Sequence, residues 1–263
     1  MTDARAHVEI REPIFLKGEV VSLLRVQEGY PMRDPKIDEI FRVAKAEQRN
    51  FLFEHEAKML CGLYGVPITK IEVAKSENAA VEAAKNIGFP IVLKIVSPQV
   101  LHKSDAGGVI VGINDEKGIR EGYQAIIANI KKNVPTAVIE GILVQEMAPK
   151  STEIIIGSTV DPTFGSTIMF GLGGIFVEIL KDVSFRLVPI TKDDAWEMLD
   201  EIKAKKILDG ARGMPKADKE TIVNTLLAVS KMLTECPEIK ELDMNPILVY
   251  EKGARAVDAR VIL

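Results

Sequence analysis

The residues of this chain best suited to chemistry are a lysine inside an apolar run, a histidine in a glycine-ended polar loop, and a group of oxygen donors near the carboxyl end. All three suit work on a phosphate. Lys94 lies in Pro90-Ile-Val-Leu-Lys-Ile-Val96. An ammonium inside a sheet is costly unless an anion stands beside it, and phosphate is the natural anion. The plainer alternative is a lysine facing solvent from a half-exposed strand. The loop His102-Lys-Ser-Asp-Ala-Gly-Gly108 follows. Gly107 and Gly108 would let backbone amides close around phosphate oxygens beside the Ser104 hydroxyl, as a flexible lid does. An ordinary polar connection reads the same way. His102 is one of three histidines, and its imidazole is suited to attack on phosphorus, although a lone loop histidine can equally be a bystander.

Asp243-Met-Asn245 places two oxygen-bearing side chains on one face of a strand, because alternate residues point the same way. Asp258, in Val257-Asp-Ala259, is expected in the partner strand. Three hard oxygen donors suit Mg²⁺ when water and phosphate complete its octahedron; the bland alternative is the polar face of a terminal hairpin. Gln145-Glu-Met147 runs from apolar strand to polar linker, which suits a hinge reading an adenine edge, and Glu153 would reach a ribose if the two elements pair. Either glutamate also reads as a solvated strand-end charge. Arg186, in Ser184-Phe-Arg-Leu187, would neutralise a transferring phosphoryl group or stand exposed on its strand.

The elements that must hold these groups follow from patterning. Helices are expected over Lys36 to Gln48, over Leu52 to Tyr64, after the N-cap Ser76 as far as Gly88, and over Asp115 to Asn133, where isoleucines and a tyrosine share one face. β-branched runs predict strands at Ile91 to Val96, Val109 to Ile113, Ile142 to Met147, Glu153 to Val160, Ser166 to Phe170, Ile175 to Leu180 and Phe185 to Ile190. Helices then lie between Lys192 and Thr234, and strands at Leu242 to Tyr250 and Ala254 to Ile262 close the chain. The pattern is α+β in two lobes. Residues 1–49 form an extension and helix, with 1–35 a docking arm, and the lobes cover 50–145 and 146–263.

At 263 residues the chain has room for both lobes. Its 34 basic and 38 acidic residues give a net charge of −4, so there is no global positive field for nucleic acid or an anionic membrane. Cys61 and Cys236 cannot form a disulfide framework and lack metal-site spacing. The stretch Pro162 to Val177 is too short and glycine-rich to span a bilayer, and the start carries charges where a signal peptide would be apolar. A cytoplasmic protein is expected. Walker and Rossmann motifs are missing.

Leu52-Phe-Glu-His-Glu-Ala-Lys-Met-Leu60 followed by Tyr64-Gly-Val-Pro67 resembles the opening of an ATP-grasp domain. Three further motifs narrow the likeness: Lys94-Ile-Val-Ser-Pro-Gln-Val-Leu-His-Lys-Ser-Asp-Ala-Gly-Gly108, Gly171-Leu-Gly-Gly174 and Leu242-Asp-Met-Asn-Pro246. In order, they resemble the β subunit of ADP-forming acetyl-CoA synthetases (acetate–CoA ligases), from about residue 50 to the end. The resemblance implies a two-lobed fold clamping ATP between antiparallel sheets, and an α₂β₂ assembly whose α subunit carries the CoA site and the principal phosphohistidine. It implies acyl-CoA + ADP + phosphate ⇌ carboxylate + CoA + ATP. His102 then matches a second, relaying histidine. Asp243 matches an acid of the nucleotide site, and with Asn245 and Asp258 the Mg²⁺ donors. Lys94 matches the phosphate-binding lysine, Gln145, Glu146 and Met147 the adenine hinge, and Glu153 the ribose acid; Arg186 matches no firm role. Two other readings share the fold. One is a carboxylate–amine or carboxylate–thiol ligase that forms an acyl phosphate directly and has no need of His102. The other is a non-catalytic nucleotide-binding subunit, against which the intact set Lys94, Asp243, Asn245 and Asp258 argues.

Overall fold

The protein is described here by a computed structural model covering residues 14–16, 19–21, 33–100, 102–174, 177, 179–210 and 215–263. After a hairpin of β1 (Ile14–Leu16) and β2 (Glu19–Val21), the chain builds two antiparallel sheets, each with its own core. The smaller contains β4 (Ile71–Ala74), β5 (Ile91–Val96), β6 (Val109–Ile113) and β7 (Gly141–Glu146) in the order β4-β7-β5-β6. One face is covered by α3 (Glu77–Ile87) and α4 (Glu116–Asn133). Their first turns are capped by side chains: Ser76 accepts the Ala79 amide at 3.2 Å and Asp115 the Gly118 amide at 2.7 Å. Ala80, Ala84, Ile119 and Ile126 bury against Ile91, Leu93, Ile95, Ile142 and Val144. Strand residues alternate in direction, so Val92, Lys94, Leu143 and Gln145 turn to the opposite face.

The larger sheet joins β3 (Phe51–Leu52), β8 (Thr152–Asp161), β9 (Gly165–Leu172), β10 (Val183–Leu187), β11 (Glu241–Val249), β12 (Ala254–Ala256) and β13 (Arg260–Ile262). Its order is β10-β9-β8-β11-β13-β3, with β12 also on β11. Ile154, Ile156, Ile168, Phe170, Leu242, Met244 and Val261 pack against helices α1 (Pro35–Ala46), α2 (Glu54–Leu63), α5 (Lys192–Glu201) and α6 (Lys219–Glu235). None of the described helices is long and apolar enough to cross a membrane.

Most expected elements form within one to three residues of their expected ends. Four differences matter. Helix α2 starts at Glu54 because Phe51 and Leu52 are drawn into the large sheet beside β13. Its Ala57, Leu60 and Cys61, with Ile37 and Phe41 of α1, belong to the large core, so a lobe boundary at residue 50 cuts through a packed unit. The strand expected at Ala254 to Ile262 is two short strands, and residues 257–259 lie between them without ladder partners. Strand β4 was not expected at all, its four residues being too few for a periodic signal. The docking arm over 1–35 lies almost wholly outside the described residues, as do Ala211, Arg212 and Gly213 of the Gly210–Gly213 loop. The strand expected at 175–180 lies partly outside them, and residues 179–180 form a turn.

The β5–β6 loop is seated firmly at its carboxyl-terminal half. Ile95 donates to the Gly108 carbonyl at 2.8 Å, and the Asn129 and Asn133 side-chain amides of α4 donate to the Gly107 and Ala106 carbonyls, both at 3.1 Å. Gly107 has φ +70°, and a Cβ on Gly108 would lie 2.5 Å from Ile95 Cγ2. Gly108→Ala is therefore expected to destabilise the protein by about 1–3 kcal/mol, the usual cost of overpacking, read as a lower denaturant midpoint. An unchanged midpoint would show that the loop is not seated on β5 as described.

Candidate functional site

Between the open face of the small sheet and the terminal hairpin of the large one lies a cleft of about 380 Å³. Lys94, His102, Lys103 and Ser104 line one wall, and Asn245, Val257 and Asp258 the other. Lys94 Nζ donates to the Val257 carbonyl at 3.2 Å, so β5 and the hairpin meet at the residue before Asp258. A second tie sits at the end of β7, where Arg255 of β12 pairs with Glu146 at 3.3 Å.

Behind the cleft wall is a charge cluster that sequence reasoning missed. Glu54, in the first turn of α2, has a side chain only 4% exposed. Its Oε1 accepts from Lys94 Nζ at 2.5 Å and lies 3.3 Å from Lys58 Nζ, and its Oε2 accepts from Lys103 Nζ at 2.8 Å. Lys58, one helical turn on and fully buried, also donates to Gln145 Oε1 at 2.5 Å and Thr69 Oγ1 at 2.9 Å. The anion required beside Lys94 is thus a protein carboxylate. Burial alone would raise the Glu54 pKa; the ammoniums of Lys94, Lys58 and Lys103 outweigh it and hold the group at about 2. Burial takes Lys58 down to about 8, with Glu54 opposing. For Lys103, burial pulls the pKa down, but the Glu54 and Asp258 carboxylates prevail and raise it. The sequence signal for Glu54 was present in its i,i+4 spacing to Lys58 at the start of a helix, but that spacing is ordinary on any solvated helix.

The other expected residues sort by face. Burial alternates along β11, with Leu242 and Met244 in the core and Asp243 and Asn245 exposed on the opposite face. Asn245 and Asp258 reach the cleft, while Asp243 borders a neighbouring hollow of about 330 Å³ with Gly157, Thr159 and Arg260. The expected convergence of three donors is therefore looser than a single cage. Asp258 stands in the break between β12 and β13 rather than in a strand, its Oδ1 accepting from the Ala259 amide at 2.9 Å. Glu153 is exposed opposite Leu248, outside the cleft lining but on the same side of the sheet as Asp243.

Three expectations are corrected by the geometry. Arg186 pairs with Ile168, which pairs with Ser158, which pairs with Leu242. That row faces the helices, so Arg186 and Asp243 point to opposite sides of the sheet. The guanidinium binds Glu197 at 3.1 Å and Glu201 at 2.5 Å on α5, and has no part in the cleft. The amides of Gly107 and Gly108, expected to cradle phosphate, donate instead to the Ser104 and Lys103 carbonyls at 3.0 and 2.7 Å. In the expected hinge, the Glu146 and Met147 amides donate to the Lys70 and Pro90 carbonyls, both at 3.0 Å, and the Gln145 side chain is turned inward to Lys58. The exposed Met147 side chain faces outward, and the Glu146 carboxylate is partly exposed beside Arg255.

No cluster of three His, Cys, Asp or Glu side chains close enough to hold a metal by themselves occurs among the described residues. The donor chemistry nevertheless fits a hard dication shared with a phosphate, because Mg²⁺ takes one or two carboxylates and fills its octahedron with water and phosphate oxygens. Restricted access to water, and then the Asp258 carboxylate, raise the Asp243 pKa, with Arg260 opposing. The Asp243 carboxylate, set near a second negative side chain, gains from a cation beside it.

A two-lobed clamp with antiparallel sheets and a lysine-and-carboxylate cleft between them defines a class, and residues 43–263 match the family of the ATP-grasp domain. The chain belongs to that family. It is 50% identical over 231 residues to the β subunit of acetate–CoA ligase (ADP-forming) I from Pyrococcus furiosus, covering 88% of this chain and 99% of that one. Dinucleotide-forming acetyl-coenzyme A synthetase 1 of Ca. Korarchaeum cryptofilum, solved in complex with coenzyme A, Ca-AMPCP and HgCl⁺, superposes with a TM-score of 0.84 at 52% identity, covering 86% of this chain and 98% of that chain. The same enzyme with coenzyme A and Mg-AMPPCP, its phosphohistidine segment pointing towards the nucleotide binding site, gives 0.77 at 47% identity, covering 86% and 99%. Within the ATP-grasp family the chain is of the ADP-forming acetate–CoA ligase β-subunit type, an acid–thiol ligase.

The charge cluster sets an acid-stability expectation. The folded-state pKa of Glu54 lies near 2, below its ordinary 4.5, so its contribution is fully present above the ordinary value and is lost as pH falls toward the folded one. On the order of a few kcal/mol should disappear across that window. Denaturant unfolding over a pH series should show a flatter acid limb for Glu54→Gln than for the unsubstituted chain. Parallel limbs would mean that Glu54 is not held by the three lysines.

Proposed function

We propose that this chain is the nucleotide-handling half of an ADP-forming acyl-CoA synthetase, binding ADP or ATP in the cleft and passing a phosphoryl group through His102. The overall reaction is acyl-CoA + ADP + phosphate ⇌ carboxylate + CoA + ATP. The observation that carries this reading is that one cleft is lined at once by a nucleophilic imidazole, two lysines and two oxygen donors of a hairpin. Phosphoryl transfer needs positioning and charge neutralisation more than covalent help, and these groups offer both. Lys94 and Lys103 draw the phosphates toward the small sheet. An imidazole nitrogen of His102 bonds to phosphorus as the donor's bond to that phosphorus breaks; a terminal oxygen of ADP then displaces the nitrogen, completing ATP and restoring His102. Asn245 and Asp258, with Asp243 alongside, are the residues to hold Mg²⁺, which would supply charge neutralisation on the phosphates. The Met147 side chain offers an apolar surface for the base, and Glu153 a carboxylate for the ribose.

A partner must supply the donor. The relatives are named as β subunits, and the matched synthetase structures hold coenzyme A and a phosphohistidine segment. The complement is an α subunit carrying the CoA site and the principal phosphohistidine, in an α₂β₂ assembly. A reducing cytoplasm suits the two buried free cysteines.

The test is co-purification with the α subunit and an assay for ATP from acetyl-CoA, ADP and phosphate. His102→Ala is expected to lower turnover by roughly a thousandfold or more, the scale of losing a covalent nucleophile, while ADP binding by calorimetry stays nearly intact. Acid-labile, base-stable phosphate on this chain supports the relay; undiminished turnover of the variant complex refutes it and favours a ligase that makes acyl phosphate directly. Asp243→Ala should reduce Mg²⁺-dependent turnover on the order of a hundredfold. An unchanged Mg²⁺ titration would remove Asp243 from the site.

A further inference from the structure

Glu54 does not line the cleft, yet it touches two residues that do. Its carboxylate stands behind the wall with its two oxygens divided, one to Lys94 of the small sheet and the other to Lys103, the residue after His102. Lys58 shares the first oxygen from the buried side. Three ammoniums thus surround one carboxylate, and two of them, Lys94 and Lys103, also line the cleft where an anion is to bind. The His102 loop is asymmetric in how it is held. Residues 106–108 are fixed by Asn129, Asn133 and Ile95, whereas among the described residues the Lys103–Glu54 pair is the one side-chain hydrogen bond made by residues 102–105.

Resting on the functional reading above, we propose that Glu54 is a positioning residue for the transfer step, fixing the His102 end of the loop through Lys103 and acting as the internal anion with which an arriving phosphate competes for Lys94. The two roles pull measurable quantities in opposite directions. Without the carboxylate, Lys94 and Lys103 present undivided positive charge, so a nucleotide binds more tightly. The imidazole also loses its anchor, and a displacement of about 1 Å costs on the order of a hundredfold in rate. A residue needed only for folding would weaken both.

The experiment uses the reconstituted complex with the α subunit. Mg-ADP affinity is read by calorimetry, and the rate at which labelled phosphate leaves His102 for ADP by rapid quench. Glu54→Gln is expected to lower the Mg-ADP Kd several-fold and slow transfer roughly ten- to hundredfold. Because that change leaves buried lysines without their counter-charge, Lys103→Met provides a second route: it leaves the buried Glu54–Lys94 pair in place, and should slow transfer comparably while lowering the thermal midpoint less than Glu54→Gln does. Lys103→Arg, which can still bridge to Glu54, should recover most of the rate. Transfer by Lys103→Met at the unsubstituted rate overturns the proposal, as does a Glu54→Gln complex that binds Mg-ADP more weakly and transfers more slowly in proportion. If the unsubstituted complex neither binds Mg-ADP nor carries acid-labile phosphate, it is the functional reading that fails; if it does both and the variants match it, only the role of Glu54 falls.

Discussion

A single buried carboxylate among three ammoniums is the interaction on which the site's architecture depends. Taking each ion out of water costs several kcal/mol even after relaxation, so the cluster persists only because every member is paired or hydrogen-bonded: Lys58 to Gln145 and Thr69, Lys94 to Val257, and all three lysines to Glu54. Those bonds join five parts of the chain, Thr69 lying in the segment between α2 and β4. Glu54 and Lys58 come from a helix of the large core, Lys94 and Gln145 from the small sheet, Lys103 from the loop, and Val257 from the terminal hairpin. Removing one partner would leave the others charged in a poor solvent, so the geometry of the cleft and the charge balance behind it are fixed together.

The same helix explains how two sheets with separate cores come to face each other. Helix α2 turns Ala57, Leu60 and Cys61 into the large core and Glu54 and Lys58 toward the small sheet. Period-two alternation does the rest. On β5 it sends Leu93 and Ile95 into the small core and Lys94 out of it; on β11 it sends Leu242 and Met244 into the large core and leaves Asp243 and Asn245 on the open side.

Alternation also decides how much could be read from the sequence. Ile91–Val96 and Val109–Ile113 were legible to the residue, because β-branched runs bounded by turn residues have few other readings. The cleft residues Lys94, His102, Asn245 and Asp258 were legible because each is a polar group set against an apolar or glycine-rich context. Arg186 was misjudged, since a strand arginine facing a helix and one facing a cleft look alike until the register across β9 and β8 is known. Gly107 and Gly108 were read as an amide cradle when their smallness serves contact with Asn129 and Ile95, a long-range fact that no local spacing encodes. Glu54 and Lys58 were hidden for the same reason: partners at positions 94, 103 and 145 turn a common helical pair into an interior cluster.

The contacts named across the seam between the lobes, Glu54–Lys94, Lys58–Gln145 and Glu146–Arg255, are charged or polar, whereas the hydrocarbon is gathered into two cores that do not merge. A joint of this composition parts differently from one sealed by oil. Separating its halves hands ions back to water, which welcomes them, instead of baring hydrocarbon, which water resists. What holds the halves together is therefore pairing and not oil, and dissolved salt reaches first the partly exposed Glu146–Arg255 pair at the rim, not the buried Glu54–Lys94 pair behind it.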